Sequence, residues 1–179
     1  MDVHAYTLHP KTTPESRRDD AYAPPGLGDP DGTLPSKWFS GTTKAELHAF
    51  LASGLDLLVV AVPLTELTRH LLAAPEFEVL SEKKTFVSNV ARGPVVHTAD
   101  LIDALDKGLI RGAALDVTDP EPLPDGHPLW SAKNVIVTPH VSGNSSAYTE
   151  RVLAIVEKNL TRMSEGKELT NRVSRKDGY

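Results

Sequence analysis

The sequence predicts an α/β protein built on a doubly wound parallel sheet. Three observations predict it. Short strand-like apolar runs alternate with helical patterns along most of the chain. The run at 57–62 is continuously apolar, as in strands covered on both faces. Residues able to do acid–base or anion chemistry recur just after the predicted strand ends. A chain of 179 residues suits one domain and is marginal for two.

The elements follow in order. Residues 3–8 read as a short first strand. From 9 to 42 there is little periodicity, and Pro10, Pro14, Pro24, Pro25, Gly26, Gly28, Pro30, Gly32 and Pro35 punctuate an irregular segment. Connections are usually ~4–6 residues, so this one is functional, mobile or an insertion. Thr43-Lys44-Ala45-Glu46 fits a capping box, Leu47, Phe50 and Leu51 recur at helical spacing, and Gly54 stops the run. Residues 55–62 then predict a strand, 66–73 a helix carrying His70, and 85–90 a strand. A helix over 98–107 ends at Gly108, and strands follow at 109–117 and 134–138. A longer amphipathic helix over 145–163 leads into a polar, poorly packed tail from 166 to 179. Five strands result.

Composition excludes several classes. A net charge of −5 argues against a nucleic-acid partner, which needs clustered Lys and Arg. With no Cys there is no disulfide framework, no Cys-ligated zinc and no cysteine nucleophile; no metal site is expected. The longest apolar run falls far short of the ~20 residues of a membrane helix. The N-terminus lacks the basic start and apolar stretch of a signal peptide. A soluble, cytoplasmic protein away from membranes is the expectation.

Ligands of open α/β sheets sit beyond the carboxyl ends of the strands. Here those loops are Pro63-Leu64-Thr65, Asn89 to Gly93, the stretch from Asp116, and the stretch from Pro139-His140. A dinucleotide fold would also open with a Gly-x-Gly-x-x-Gly turn. None is present. Gly26-Leu27-Gly28-Asp29-Pro30-Asp31-Gly32 has the wrong spacing, follows no predicted strand, and carries two aspartates that would repel phosphate.

The motifs are Val62-Pro63-Leu64-Thr65, Asn89-Val90-Ala91-Arg92-Gly93, Ala113-Ala114-Leu115-Asp116-Val117 through Glu121-Pro122-Leu123-Pro124, and Thr138-Pro139-His140-Val141-Ser142-Gly143. On these four, in this order, the chain resembles the D-isomer-specific 2-hydroxyacid dehydrogenases from residue 3 to about residue 163. The resemblance implies a Rossmann-like domain, NAD or NADP as cofactor, and hydride transfer between nicotinamide and a small 2-oxo or 2-hydroxy acid. It implies that Arg92 binds the substrate carboxylate, His140 donates or accepts the proton, and Glu121 partners the histidine. The residue types suit those tasks. A guanidinium can grip a carboxylate bidentately. Imidazole titrates near neutrality, and an adjacent carboxylate favours its protonated form.

The resemblance also implies cofactor contacts at Thr7, Val62, Pro63, Thr65, Asn89, Ala91, Asp116, Ser142 and Gly143, with Asp116 near the nicotinamide amide. Thr7 stands where NAD-preferring members would carry an acid. With His9, Lys11, Arg17 and Arg18 nearby, a 2′-phosphate would be tolerated. A homodimer is possible for the complete protein.

The resemblance begins at what looks like the second strand of the cofactor domain. Residues 1–144 then read as an incomplete NAD(P)-binding domain with 9–42 as its long loop. Residues 145–179 read as a C-terminal helix and tail that would pack on a missing substrate domain. A parallel sheet without its first strand would expose edges and apolar faces. Without the glycine-rich turn, NAD(P)H binding should be weak or absent. The alternative is a non-catalytic Rossmann-fold remnant acting as an interaction module. A formate-dehydrogenase-like member is disfavoured, because Glu121 stands where those enzymes would carry glutamine.

Overall fold

A computed structural model describes residues 1–19, 21–24 and 26–174. The elements in chain order are β1 (His4–Thr7), α1 (Pro14–Arg17), β2 (Lys37–Ser40), α2 (Lys44–Leu51), β3 (Leu57–Val60), α3 (Ala74–Leu80), β4 (Phe86–Asn89), α4 (Thr98–Asp106), β5 (Gly112–Leu115), β6 (Val135–Val137) and α5 (Tyr148–Ser164). Single 3-10 turns lie at Gly93–Val95 and Pro128–Ser131. Two compact units result: Met1–Gly41 with Gly143–Tyr179, and Thr42–Ser142.

The Thr42–Ser142 unit holds a parallel sheet in the order β3-β4-β5-β6. One face of it is buried through Leu58, Val60, Val87, Asn89, Ala113 and Leu115. Phe77, Leu80, Val95, Leu101 and Leu105 complete the core. The other face differs from expectation. Leu57 and Val59 are 46% and 54% exposed, so the apolar run at β3 is covered on one side only.

The capping box at α2 forms as the sequence predicts. The Thr43 hydroxyl accepts from the Glu46 N–H at 3.3 Å, and the Glu46 carboxylate accepts from the Thr43 N–H at 3.0 Å. Leu47, Phe50 and Leu51 turn inward. Gly108 ends the α4 segment at φ 67°, a left-handed conformation that suits glycine.

The helix expected over 66–73 is a series of turns; the helix of this connection is α3, one step later. Two local causes are visible. The Thr68 hydroxyl donates to the Pro63 carbonyl at 2.6 Å and accepts from the Thr65 N–H at 2.7 Å, diverting the backbone from helical bonding. His70 sits at φ 51°, which no helix accommodates. At α3, Pro75 falls in the first turn, where its missing N–H costs nothing. Glu76 then caps the Ala73 N–H at 3.1 Å.

The second unit contains a two-stranded parallel sheet, β1 beside β2, in register from His4↔Lys37 to Thr7↔Ser40. β2 lies inside the stretch expected to be irregular, so there are six strands among the described residues. Its four residues, Lys-Trp-Phe-Ser, are too short to show a period against the surrounding prolines and glycines. Thr13 and Ser16 cap the single turn α1. Part of the expected loose tail is tied down. Asn159 bonds Thr170 in both directions, at 2.8 and 3.2 Å, and Asn171 accepts from the Tyr22 N–H at 3.0 Å. Residues 175–179 of that tail lie outside the described residues.

Candidate active site

Parallel pairing aligns Asn89 with Leu115 and Leu115 with Val137. Three loops therefore leave the sheet side by side at its carboxyl edge. They carry Arg92, Glu121 and His140.

In the first loop the buried Asn89 side chain accepts from the Ala91 N–H at 3.0 Å and donates to the Arg92 carbonyl at 3.1 Å. This closes a tight turn and pushes the Arg92 side chain outward. Arg92 is exposed, and its Nη1 donates to the Ala91 carbonyl at 2.7 Å. Gly93 sets how closely the next loop approaches. A Cβ placed there would lie 1.8 Å from the Thr118 carbonyl oxygen, so any side chain would force the two loops apart.

The second loop is fixed from several sides. The Thr98 hydroxyl, at the start of α4, donates to the Asp119 carbonyl at 2.9 Å. The Thr118 hydroxyl donates to the Pro120 carbonyl at 2.9 Å, and the Thr118 N–H reaches Glu121 Oε2 at 3.3 Å. The other carboxylate oxygen, Oε1, lies 2.6 Å from His140 Nδ1. Both groups keep solvent access, with side chains 44% (His140) and 38% (Glu121) exposed. With Nδ1 committed to Glu121, Nε2 is the nitrogen left for a reactant.

The third loop returns to Asp116, which is buried at the end of β5. The Thr138 hydroxyl and the Val141 N–H both donate to Asp116 Oδ1, at 2.6 and 2.9 Å. The Ser142 N–H donates to Oδ2 at 2.8 Å. Burial pushes the Asp116 carboxyl up, but hydrogen bonds from Ser142, Thr138 and Val141 outweigh it and hold the group well below the usual carboxylate range.

The remaining sequence-predicted residues divide between the units. Val62, Pro63 and Thr65 form the loop after β3, with the Pro63 carbonyl and Thr65 N–H engaged by Thr68. Ala91 and Asn89 are buried, and Ser142 presents its N–H to Asp116. Thr7 and Gly143 belong to the other unit. There the Thr7 hydroxyl donates to the His9 carbonyl at 2.8 Å, and open space surrounds Gly143. In that unit Arg17 donates to the Lys11 carbonyl at 3.0 Å, and Arg18 pairs with Asp31 at 3.6 Å.

Sequence reasoning missed Thr98, Thr118 and Thr138 as builders of the site. Thr138 stood inside a quoted motif, directly before Pro139-His140. Thr118 likewise lies within a motif, between Val117 and Glu121, whereas Thr98 gave no signal beyond residue type, because its partner is the distant Asp119 carbonyl.

The residues fit the substrate and proton-transfer side of a nicotinamide site: an exposed guanidinium, and an imidazole oriented by a carboxylate. The glycine-rich run does not fit a pyrophosphate cradle. A Cβ at Gly26 or Gly28 meets nothing within 4 Å, so no backbone there has been cleared for a close approach.

Residues 33–142 match the NAD binding domain of the D-isomer specific 2-hydroxyacid dehydrogenases, and the chain belongs to that family. It is 38% identical over 120 residues to the glyoxylate reductase of Aeropyrum pernix, covering 67% of this chain and 36% of that protein. It is 40% identical over 109 residues to the glyoxylate reductase/hydroxypyruvate reductase of Homo sapiens, covering 61% of this chain and 33% of that protein. Among solved structures, a D-isomer specific 2-hydroxyacid dehydrogenase from Xanthobacter autotrophicus Py2, in complex with NADPH and MES, superposes with a TM-score of 0.75 at 35% identity. That match covers 99% of this chain and 63% of the other. The NADPH-dependent glyoxylate/hydroxypyruvate reductase of Sinorhizobium meliloti, in complex with NADP and sulfate, gives 0.69 at 33% identity, covering 80% and 45%. The chain thus spans well under half the length of these curated relatives. Among the described residues, no helix is long and apolar enough to cross a membrane.

Proposed function

We propose that this chain carries the proton-transfer and carboxylate-binding machinery of an NAD(P)-dependent 2-hydroxy acid dehydrogenase. The observation that carries the reading is the 2.6 Å contact between His140 Nδ1 and Glu121 beside the Arg92 loop. Glyoxylate and hydroxypyruvate are the substrate class that the relatives' names support. Arg92 binds the carboxylate of the 2-oxo acid and fixes which carbon is presented for reaction. His140 Nε2 gives its proton to the carbonyl oxygen as negative charge develops there. Glu121 holds the Nδ1 proton and stabilises the imidazolium. When bound, the nicotinamide supplies or accepts the hydride at the same carbon.

Val62, Pro63, Thr65, the backbone of 89–91 and Ser142 would line the nicotinamide end. NADP rather than NAD is favoured by Thr7 standing where an acid would repel a 2′-phosphate, and by the NADP and NADPH held by the structural relatives. The C-terminal helix would pack on a substrate lobe.

The chain alone is expected to bind NADPH weakly or not at all, and a titration giving low-micromolar affinity overturns that expectation. Glyoxylate at millimolar concentration should shift the NMR signals of Arg92 and His140, and Arg92→Gln should abolish the His140 shift. Unmoved signals in the parent chain sink the substrate assignment. In a complete enzyme carrying this segment, His140→Ala should lower kcat far more than it changes KM, since proton transfer belongs to the transition state.

A further inference from the structure

The resemblance places Asp116 beside the cofactor, yet its bonds point toward the loop that carries the proton donor. Residues 138–142 wrap around this one buried carboxylate. Its Oδ1 takes the Thr138 hydroxyl and the Val141 N–H, and its Oδ2 takes the Ser142 N–H. The Asp116 carbonyl also accepts from the His140 N–H at 2.9 Å. His140 itself sits at φ 54°, a left-handed conformation that side-chain-bearing residues rarely adopt.

A residue in that conformation persists only where its surroundings over-determine it. Here the over-determination comes from Asp116, which bonds the residue itself, the two residues after it and one before it. A buried carboxylate is in turn costly unless its oxygens are satisfied, and this loop satisfies both. Each half therefore locks the other.

We propose that Asp116 is the positioning residue of the proton donor. Its carboxylate holds the 138–142 turn so that His140 Nδ1 meets Glu121 and Nε2 faces outward. The catalytic meaning of that orientation rests on the proton-transfer role proposed above; the orientation itself does not.

The readout is the tautomer of His140, measured by long-range proton–nitrogen NMR at a pH where the imidazole is neutral. The nitrogen carrying the proton is set by the hydrogen bond the ring makes. The parent chain should carry it on Nδ1, facing Glu121. Asp116→Asn replaces one acceptor oxygen by an NH2 group, which cannot serve these donors. It should shift His140 to the Nε2–H form that an unconstrained imidazole prefers. It should also speed amide exchange at Val141 and Ser142 by roughly tenfold or more, as expected for losing hydrogen bonds to a charged group.

Thr138→Val should move both readouts the same way by less, and Thr138→Ser should restore them. A general loss of stability would not be rescued by a hydroxyl. The amide of Leu101, in α4, serves as the internal control for folding. If Asp116→Asn keeps that control and also keeps the Nδ1–H tautomer and loop protection, the proposal fails. If Asp116→Asn does not fold, a Thr138→Val chain with the parent tautomer overturns it instead. A kcat indifferent to His140→Ala in a complete enzyme would sink the proton-transfer role while leaving the tautomer result standing.

Discussion

Two helices of similar amphipathic character end in opposite surroundings. α4 buries Leu101, Ala104 and Leu105, whereas α5 buries none of its side chains. Yet α5 repeats Val152, Val156 and Leu160 at every fourth position, as regular an apolar stripe as any in the chain. The difference lies in connectivity. α4 runs between β4 and β5, two paired parallel strands, and short connections on both sides return its apolar face to their sheet. α5 follows β6, and among the described residues no strand after it pairs with that sheet. An amphipathic pattern reports what a helix can bury; the strands on either side decide whether it does so.

The largest expected effect is in the core that such crossovers build. Phe77 on α3 is 0% exposed, so Phe77→Ala should cost about 3–5 kcal/mol, through lost transfer energy and the cavity left behind. Urea denaturation with an unchanged m-value measures it. A cost below about 1 kcal/mol would mean that the core collapses around the gap, which would blunt the contrast with α5.

The same contrast explains what could be read from sequence. Elements whose local chemistry and tertiary role agree were legible: the capping box at Thr43, the strand ending at Asn89, and the helix ending at Gly108. The helix misplaced to 66–73 failed because its spacing is helical while the Thr68 hydroxyl and a left-handed His70 divert the backbone. β2 was hidden by its length. In the site, motif order singled out Arg92, Glu121 and His140 as candidates, and the structure sets Glu121 Oε1 2.6 Å from His140 Nδ1. The hydroxyls that hold their loops were not found. A hydroxyl bonded to a loop carbonyl, as at Thr98 and Thr118, or to a remote carboxylate, as at Thr138, leaves no periodic or compositional trace.

A smaller effect is expected at Glu76, where the core meets α2. This carboxylate is 0% exposed and bonds His48 Nε2 at 2.8 Å, Lys44 Nζ at 2.9 Å and the Ala73 N–H at 3.1 Å. Burial pushes its pKa up; the bonds from His48, Lys44 and Ala73 outweigh burial and bring it below its ordinary 4.5. A carboxyl held down in the folded state contributes stability fully present above its unfolded pKa and lost as the pH falls through the folded one. Glu76→Gln should therefore cost about 1.5–3 kcal/mol at neutral pH. The variant should also lose less stability than the parent as the pH drops below 4.5. Parallel acid limbs for the two proteins would remove Glu76 from this role.

The smallest effect should be on α5, and it tests the comparison most directly. Val156 is 48% exposed, and Val and Ser have similar intrinsic helix propensities. Val156→Ser thus changes burial while leaving the helix itself nearly indifferent. If the stripe is uncovered in solution, stability should move by no more than about 0.5 kcal/mol, as for surface substitutions generally. A loss of about 1.5 kcal/mol or more would match burial of a whole Val side chain and show that something covers this face. Repeating the denaturation at several protein concentrations then separates the sources. A concentration-dependent loss would come from a second copy of the chain, and a concentration-independent one from the chain's own residues, in which case connectivity would not be what sets α4 apart from α5.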